Sequence, residues 1–165
     1  MSGSALVFAH AHPDDESVLT GATLAKANAL GFRTVVVYGT RGDAGETGQD
    51  LQGESLGDRR VREAEAACTE LGVDRIEWLP YDDSGMAGTD TTTNPRAFCN
   101  ANIAEAAALT ADRLSDETVG AVVGYDSNGT YSQQTAPPIS PIWNDCSRQS
   151  PPGAAPTIVG RDGWA

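Results

Sequence analysis

The stretch Ala5-Leu6-Val7-Phe8-Ala9-His10-Ala11-His12-Pro13-Asp14-Asp15-Glu16-Ser17-Val18-Leu19-Thr20 decides how this chain folds and what it can do. Its first residues are a short apolar run that reads as a buried strand. Ser17 to Leu30 favours a helix, with Gly31 as its stop. One His and three carboxylates therefore sit where a strand gives way to a helix. In open α/β sheets that junction lies at the carboxyl edge of the strands, where ligands bind. An imidazole beside Asp carboxylates can hold a divalent cation such as Zn²⁺, and a further carboxylate can act as general base toward water. The competing reading is local: Asp14 or Asp15 as a helix N-cap, with Glu16 favoured in the first turn by the helix dipole. The His-Pro pair favours the metal, because a His at the end of an apolar strand needs a partner.

Outward from this junction, short apolar runs alternate with helix-patterned segments. Thr34-Val35-Val36-Val37-Tyr38 is continuous and largely β-branched, which suits a strand covered on both faces. Residues 39–56 are rich in Gly, Asp and Glu and read as a long loop, a length usually reserved for function or disorder. Asp58 is expected to cap a helix running to Leu71, with Val61, Ala64, Cys68 and Leu71 at helical spacing. Asp74 to Leu79 reads as a third strand. A polar loop, a helix over Ala97 to Leu114 and a fourth strand over Val119 to Val123 follow. The order β-α-β-α-β-α-β predicts an α/β, Rossmann-like parallel sheet with flanking helices.

A chain of 165 residues suits one domain with a modest core. The pattern stops near Tyr131, which divides the chain into an α/β domain over 1–130 and a Pro-rich irregular tail over 131–165. The tail holds six of the nine prolines and four charges that cancel (Asp145, Arg148, Arg161, Asp162), so the net charge of −12 belongs to the domain. Such an acidic chain, with a pI near 4.3, repels nucleic acid and anionic lipid. Cys68, Cys99 and Cys146 are too few and unevenly spaced for a disulfide framework or a Cys-based zinc site. The sequence carries no membrane-length apolar run and no basic leader ahead of an apolar core, and cytoplasmic residence is the expectation. No Gly-x-Gly-x-x-Gly follows the first strand, so dinucleotide binding is a poor reading. The sequence sets no oligomeric state.

Ala11-His12-Pro13-Asp14-Asp15-Glu16 resembles the signature of the PIG-L/LmbE-like deacetylases, zinc-dependent enzymes that remove N-acetyl groups from glucosamine-containing substrates. Gly42-Asp43-Ala44-Gly45-Glu46, Arg60-Val61-Arg62-Glu63, Asp83-Ser84-Gly85-Met86 and Tyr125-Asp126-Ser127-Asn128-Gly129-Thr130-Tyr131 resemble further family segments in the same order. The resemblance implies His12 and Asp15 as metal ligands and Asp14 as the general base. It implies Arg60, Asp83 and Tyr131 as substrate contacts. Glu16, at the start of the helix beside these acids, is expected to be a cap or an orienting residue. After a Tyr such as Tyr131 the family continues Gly-His-Pro-Asp-His, whose final His completes the metal site. This chain instead reads Ser132-Gln133-Gln134-Thr135-Ala136, and its only histidines are His10 and His12. So abrupt a change reads as a frameshifted or spliced end. His10, at strand spacing from His12, is a conceivable substitute ligand, but a packed residue is the expectation.

The sequence therefore predicts a zinc-dependent hydrolase acting on a small-molecule N-acetylated amino-sugar conjugate, with no nucleic-acid or membrane partner, impaired by loss of the third ligand. The alternative is a catalytically inactive homologue that binds metal or sugar without turnover. A small-molecule-binding α/β module unrelated to hydrolysis is a further rival.

Overall fold

The computed structural model describes residues 4–86, 88–125 and 157–159, the last three by their backbone alone. Strand β1 (Ala5–His10) pairs in parallel with β2 (Thr34–Thr40), from Leu6 opposite Thr34 to His10 opposite Tyr38. β2 pairs with β3 (Arg75–Tyr81), and β1 on its other side with β4 (Val119–Val123). A short β5 (Thr157–Val159) continues the sheet beyond β4, giving the order β3-β2-β1-β4-β5 with every pair parallel. Three residues are too few to show a period, and the sequence anticipated no strand in the tail.

The sheet is covered on both faces, and its alternation shows why. Val7, Ala9, Val35, Val37 and Leu79 face α3 (Ile103–Arg113), packing with Phe98, Ala106, Ala107 and Leu114. Phe8, Val36 and Tyr38 face the opposite side, packing with Leu24 of α1 (Gly21–Ala29) and Ala64 and Cys68 of α2 (Leu56–Leu71). Every residue of β2 is buried, as its unbroken apolar run requires. The chain steps outward from β1 to β2 to β3, then returns to place β4 on the far side of β1. That reversal opens a crevice at the carboxyl ends of β1 and β4.

Three local expectations are corrected. The first helix begins as a wide π turn, Glu16–Thr20, before α1, because Glu16 turns inward and is buried. Ser55, not Asp58, caps α2: its Oγ accepts the Asp58 N–H at 3.0 Å and donates to Asp58 Oδ2 at 2.8 Å. The third helix starts at Ile103, capped by Asn102, and not at Ala97. Residues 97–101 instead run beside the loop after β3: Asp82 donates to Arg96 O, Phe98 donates to Asp82 O, and Phe98 enters the core. Cys68 is buried, whereas Cys99 sits half-buried in a 3-10 turn, Phe98–Asn100.

Candidate active site

The turn after β1 carries the site to the crevice. His12, Asp14 and Asp15 lie there, Tyr125 arrives from just beyond β4, and Asp83 from just beyond β3. Neither Asp caps a helix. Asp15 precedes the π turn without a side-chain cap bond, and Asp14 has its carboxylate on Arg60. Adjacent in sequence, the two acids diverge, because Asp14 has φ 105° and turns the chain between them.

Asp15 faces inward. Its Oδ2 accepts the His12 backbone N–H at 3.1 Å and the Tyr125 hydroxyl, and lies 3.7 Å from His12 Nδ1. Tyr125 lies in a segment that resembles the family, but nothing in the sequence assigns it a role. Its hydroxyl donates to Asp15 and accepts the Ala11 N–H at 2.7 Å, tying the end of β4 to the end of β1. Burial drives the Tyr125 phenol well above its usual range, so it stays a donor. For Asp15 burial opposes ionisation, but the bonds from His12 and Tyr125 outweigh it and hold the carboxyl below its ordinary value.

Asp83 closes the other side of His12. Its side chain is 5% exposed, and Oδ1 meets His12 Nε2 at 3.2 Å. Oδ1 also accepts the Gly85 N–H at 3.0 Å, while Oδ2 accepts the Ala44 N–H at 3.1 Å. Burial resists the charge, yet His12 and these two amides hold the Asp83 pKa down at about 2. Burial likewise opposes charge on His12, but bonds to Asp15 and Asp83 push its pKa up to about 9. The crevice is thus built to hold positive charge between two carboxylates.

Asp14 points outward, with its side chain 63% exposed and one oxygen 2.8 Å from Arg60. Partial desolvation at the crevice rim raises its pKa, and the Arg60 guanidinium only partly offsets this. Arg60 also donates to Pro13 O at 3.2 Å and Gly42 O at 3.0 Å. The Gly42-x-x-Gly45 loop explains its own glycines here. A Cβ at Gly42 would stand 2.4 Å from the guanidinium and one at Gly45 2.8 Å, so both cradle Arg60.

His10 does not join this set. It is 1% exposed, its Nε2 meets Thr20 Oγ1 at 3.0 Å, and its ring lies near Tyr38 and Tyr125. Burial lowers its pKa to about 4, and its Nδ1 has no partner among the described residues. It is the packed residue expected, not a substitute ligand. Tyr131 and the divergent segment after it lie outside the described residues.

The donor chemistry fits part of a zinc site. Two ligands of one tetrahedral Zn²⁺ stand about 3.4 Å apart, and His12 Nδ1 and Asp15 Oδ2 are separated by 3.7 Å. A carboxylate on the other ring nitrogen, as Asp83 is here, is the usual orienting partner of a ligating His. Among the described residues no three His, Cys, Asp or Glu side chains gather into a metal-holding group. A cleft of about 510 Å³ adjoins Asp83, lined also by Arg41, Asp43, Tyr81, Asn94 and Arg96. Among the described residues no helix is long and apolar enough to cross a membrane.

Comparison with known proteins shows the family. The family model for PIG-L, described as GlcNAc-PI de-N-acetylase, matches residues 7–137. A 1D-myo-inositol 2-acetamido-2-deoxy-alpha-D-glucopyranoside deacetylase from Acidothermus cellulolyticus is 42% identical over 137 residues, 76% of this chain and 47% of that protein. The same-named deacetylase of Nocardiopsis dassonvillei is 41% identical, covering 76% and 48% respectively. The chain spans about half the length of these curated relatives. Among solved structures, the N,N'-diacetylchitobiose deacetylase of Pyrococcus horikoshii superposes with a TM-score of 0.70 at 23% identity, covering 92% of this chain and 52% of that one. At that identity the likeness is one of fold.

Proposed function

The chain belongs to the PIG-L family, and from that premise we propose that it is an amide hydrolase that removes the N-acetyl group from an N-acetylglucosaminyl conjugate, with Zn²⁺ held by His12 and Asp15. The observation that carries the reading is the divided pair of acids. Asp15 is turned inward onto His12 and Tyr125, while its neighbour Asp14 is turned outward, paired with Arg60 and exposed to solvent. One acid is placed to share a cation with the imidazole and the other to handle a proton. The curated relatives, named for a glucosaminyl-inositol substrate, make that conjugate the first one to test.

Zinc, when bound, supplies Lewis acidity toward the acetamide carbonyl and the attacking water. Asp14 takes the proton from that water as it adds to the carbonyl carbon. It then returns the proton to the amine nitrogen as the C–N bond breaks, leaving acetate and a free amino sugar. Asp83 holds the imidazole from behind, and Tyr125 holds Asp15. Arg60 keeps Asp14 beside the reacting centre. Arg60, Asp83 and Tyr131 are assigned to the sugar, and the cleft that Asp83 lines is assigned to the remainder of the conjugate. We place the reaction in the cytoplasm.

A second reading is favoured by the donor count. A catalytic zinc normally has three protein ligands, and only His12 and Asp15 are identified. The chain on this reading binds metal or sugar without turnover. Zinc content after dialysis and acetate release decide between the two. Asp14→Asn is expected to keep its zinc and lose ~10²–10⁴-fold in rate, whereas Asp15→Asn loses both. The assignment fails if Asp14→Asn strips the metal while Asp15→Asn retains it. In the second reading zinc binds and no acetate appears. The combined substitution Gln133→His, Gln134→Pro, Thr135→Asp and Ala136→His is then expected to raise zinc affinity.

A further inference from the structure

We propose that Glu16 is a positioning residue that holds Asp14 in the conformation its role as base requires; this rests on the reading of Asp14 given above. Asp14 has φ 105°, a backbone region an L-residue adopts only when its surroundings impose it. Arg60 holds the carboxylate end of the residue and Glu16 holds the backbone end. Glu16 Oε2 accepts the Asp14 N–H at 2.9 Å, and Glu16 Oε1 accepts the Ser17 hydroxyl at 2.6 Å. The Glu16 residue is 1% exposed, so both carboxyl oxygens are bonded in a place where an unbonded one would be costly.

The Glu16 backbone is itself anchored to the sheet through its carbonyl. Thr20 Oγ1 donates to Glu16 O at 3.1 Å, which leaves His10 Nε2 as the donor to Thr20 Oγ1 at 3.0 Å. The last residue of β1 therefore braces the π turn, and the turn aims Glu16 back at Asp14. A side chain two residues downstream closes a small ring around the Asp14 amide and leaves the Asp14 carboxylate on the other side, paired with Arg60 and 63% exposed. A base needs a fixed backbone and an open head group, and this arrangement provides both. Leaving the wide π turn for an ordinary helix would turn Glu16 elsewhere, which accounts for the irregular start of the first helix.

The test is amide hydrogen exchange by NMR on the full chain, with zinc titration alongside. In the parent protein the Asp14 amide is expected to be protected and shifted downfield by its carboxyl acceptor. Glu16→Ala is expected to speed its exchange by about tenfold or more, with β1 and β2 amides unchanged and zinc affinity kept. Glu16→Gln retains an acceptor and restores most of the protection, with an upfield move of the Asp14 proton. That variant decides the matter alone if Glu16→Ala does not fold. The proposal is overturned by an Asp14 amide that exchanges freely in the parent, by one indifferent to both substitutions, or by a loss of protection spread evenly over the sheet. Where the zinc-loaded parent releases acetate, Glu16→Ala lowers kcat and leaves KM unchanged. A parent that releases none removes the deacetylase reading, while the amide still decides the role of Glu16.

Discussion

Replacing Tyr125 by Phe removes one oxygen atom and strands two polar groups. The hydroxyl donates to the ionised Asp15 and accepts the Ala11 N–H, so Tyr125→Phe deletes a charge-assisted bond and leaves a backbone donor unpaired. A bond to a charged group contributes about 1.5–3 kcal/mol and a stranded donor costs about 1–3 kcal/mol. The two overlap, since the ring stays and the site can relax, so the expected loss is about 3 kcal/mol. In a chain of this size that corresponds to a fall in Tm of about 6–12 °C. The assay is urea unfolding at neutral and at acid pH. Tyr125 helps to hold the Asp15 pKa below its ordinary value. Stability from that depression is present above the ordinary carboxylate pKa and is lost as pH falls through the folded value. The penalty of Tyr125→Phe is therefore expected to be largest at neutral pH and to shrink in acid. A variant within about 0.5 kcal/mol of the parent at pH 7 would refute the reasoning, and so would a penalty that grows on acidification.

Zinc affinity is expected to rise with pH by about tenfold per unit up to about 9, because the metal must displace the proton that Asp15 and Asp83 hold on His12; a flat profile between pH 6 and 8 would take His12 out of the site. Gly42→Ala places a methyl against the Arg60 guanidinium and strains a backbone at φ 71°, so thermal melts should show a loss of about 1–3 kcal/mol, with the Asp14–Arg60 contact broken in a variant structure. His10, buried and neutral with a folded pKa near 4, makes the protein less stable as pH falls from about 6.5 toward 4. His10→Gln is expected to flatten that window, and unfolding curves unchanged in shape would count against a buried neutral His10.

The alternation of apolar runs and helical periods determined the parallel sheet, because each period follows directly from backbone geometry and needs no partner to be read. The strand-to-helix junction likewise marked His12-Pro13-Asp14-Asp15 as the candidate site, because a parallel sheet brings such junctions to one edge. Helix starts were less legible. Ser55 and Asn102 do the capping, while Asp58 and Ala97 drew the expectation, because several polar residues near a boundary can serve and packing selects among them. The resemblance gave the two acids different roles, but only the tertiary structure supplies a physical reason for the difference. Asp14 and Asp15 are identical side chains in adjacent positions, and what makes them unlike is a positive φ imposed by Glu16 from below and Arg60 from the side. Tyr125 and Asp83 reach His12 and Asp15 from the ends of β4 and β3, joining residues some seventy to one hundred and ten positions apart. A side chain's partner across such a distance is set by strand order and by the turn that reverses it, so its role can be seen only where the crevice has formed.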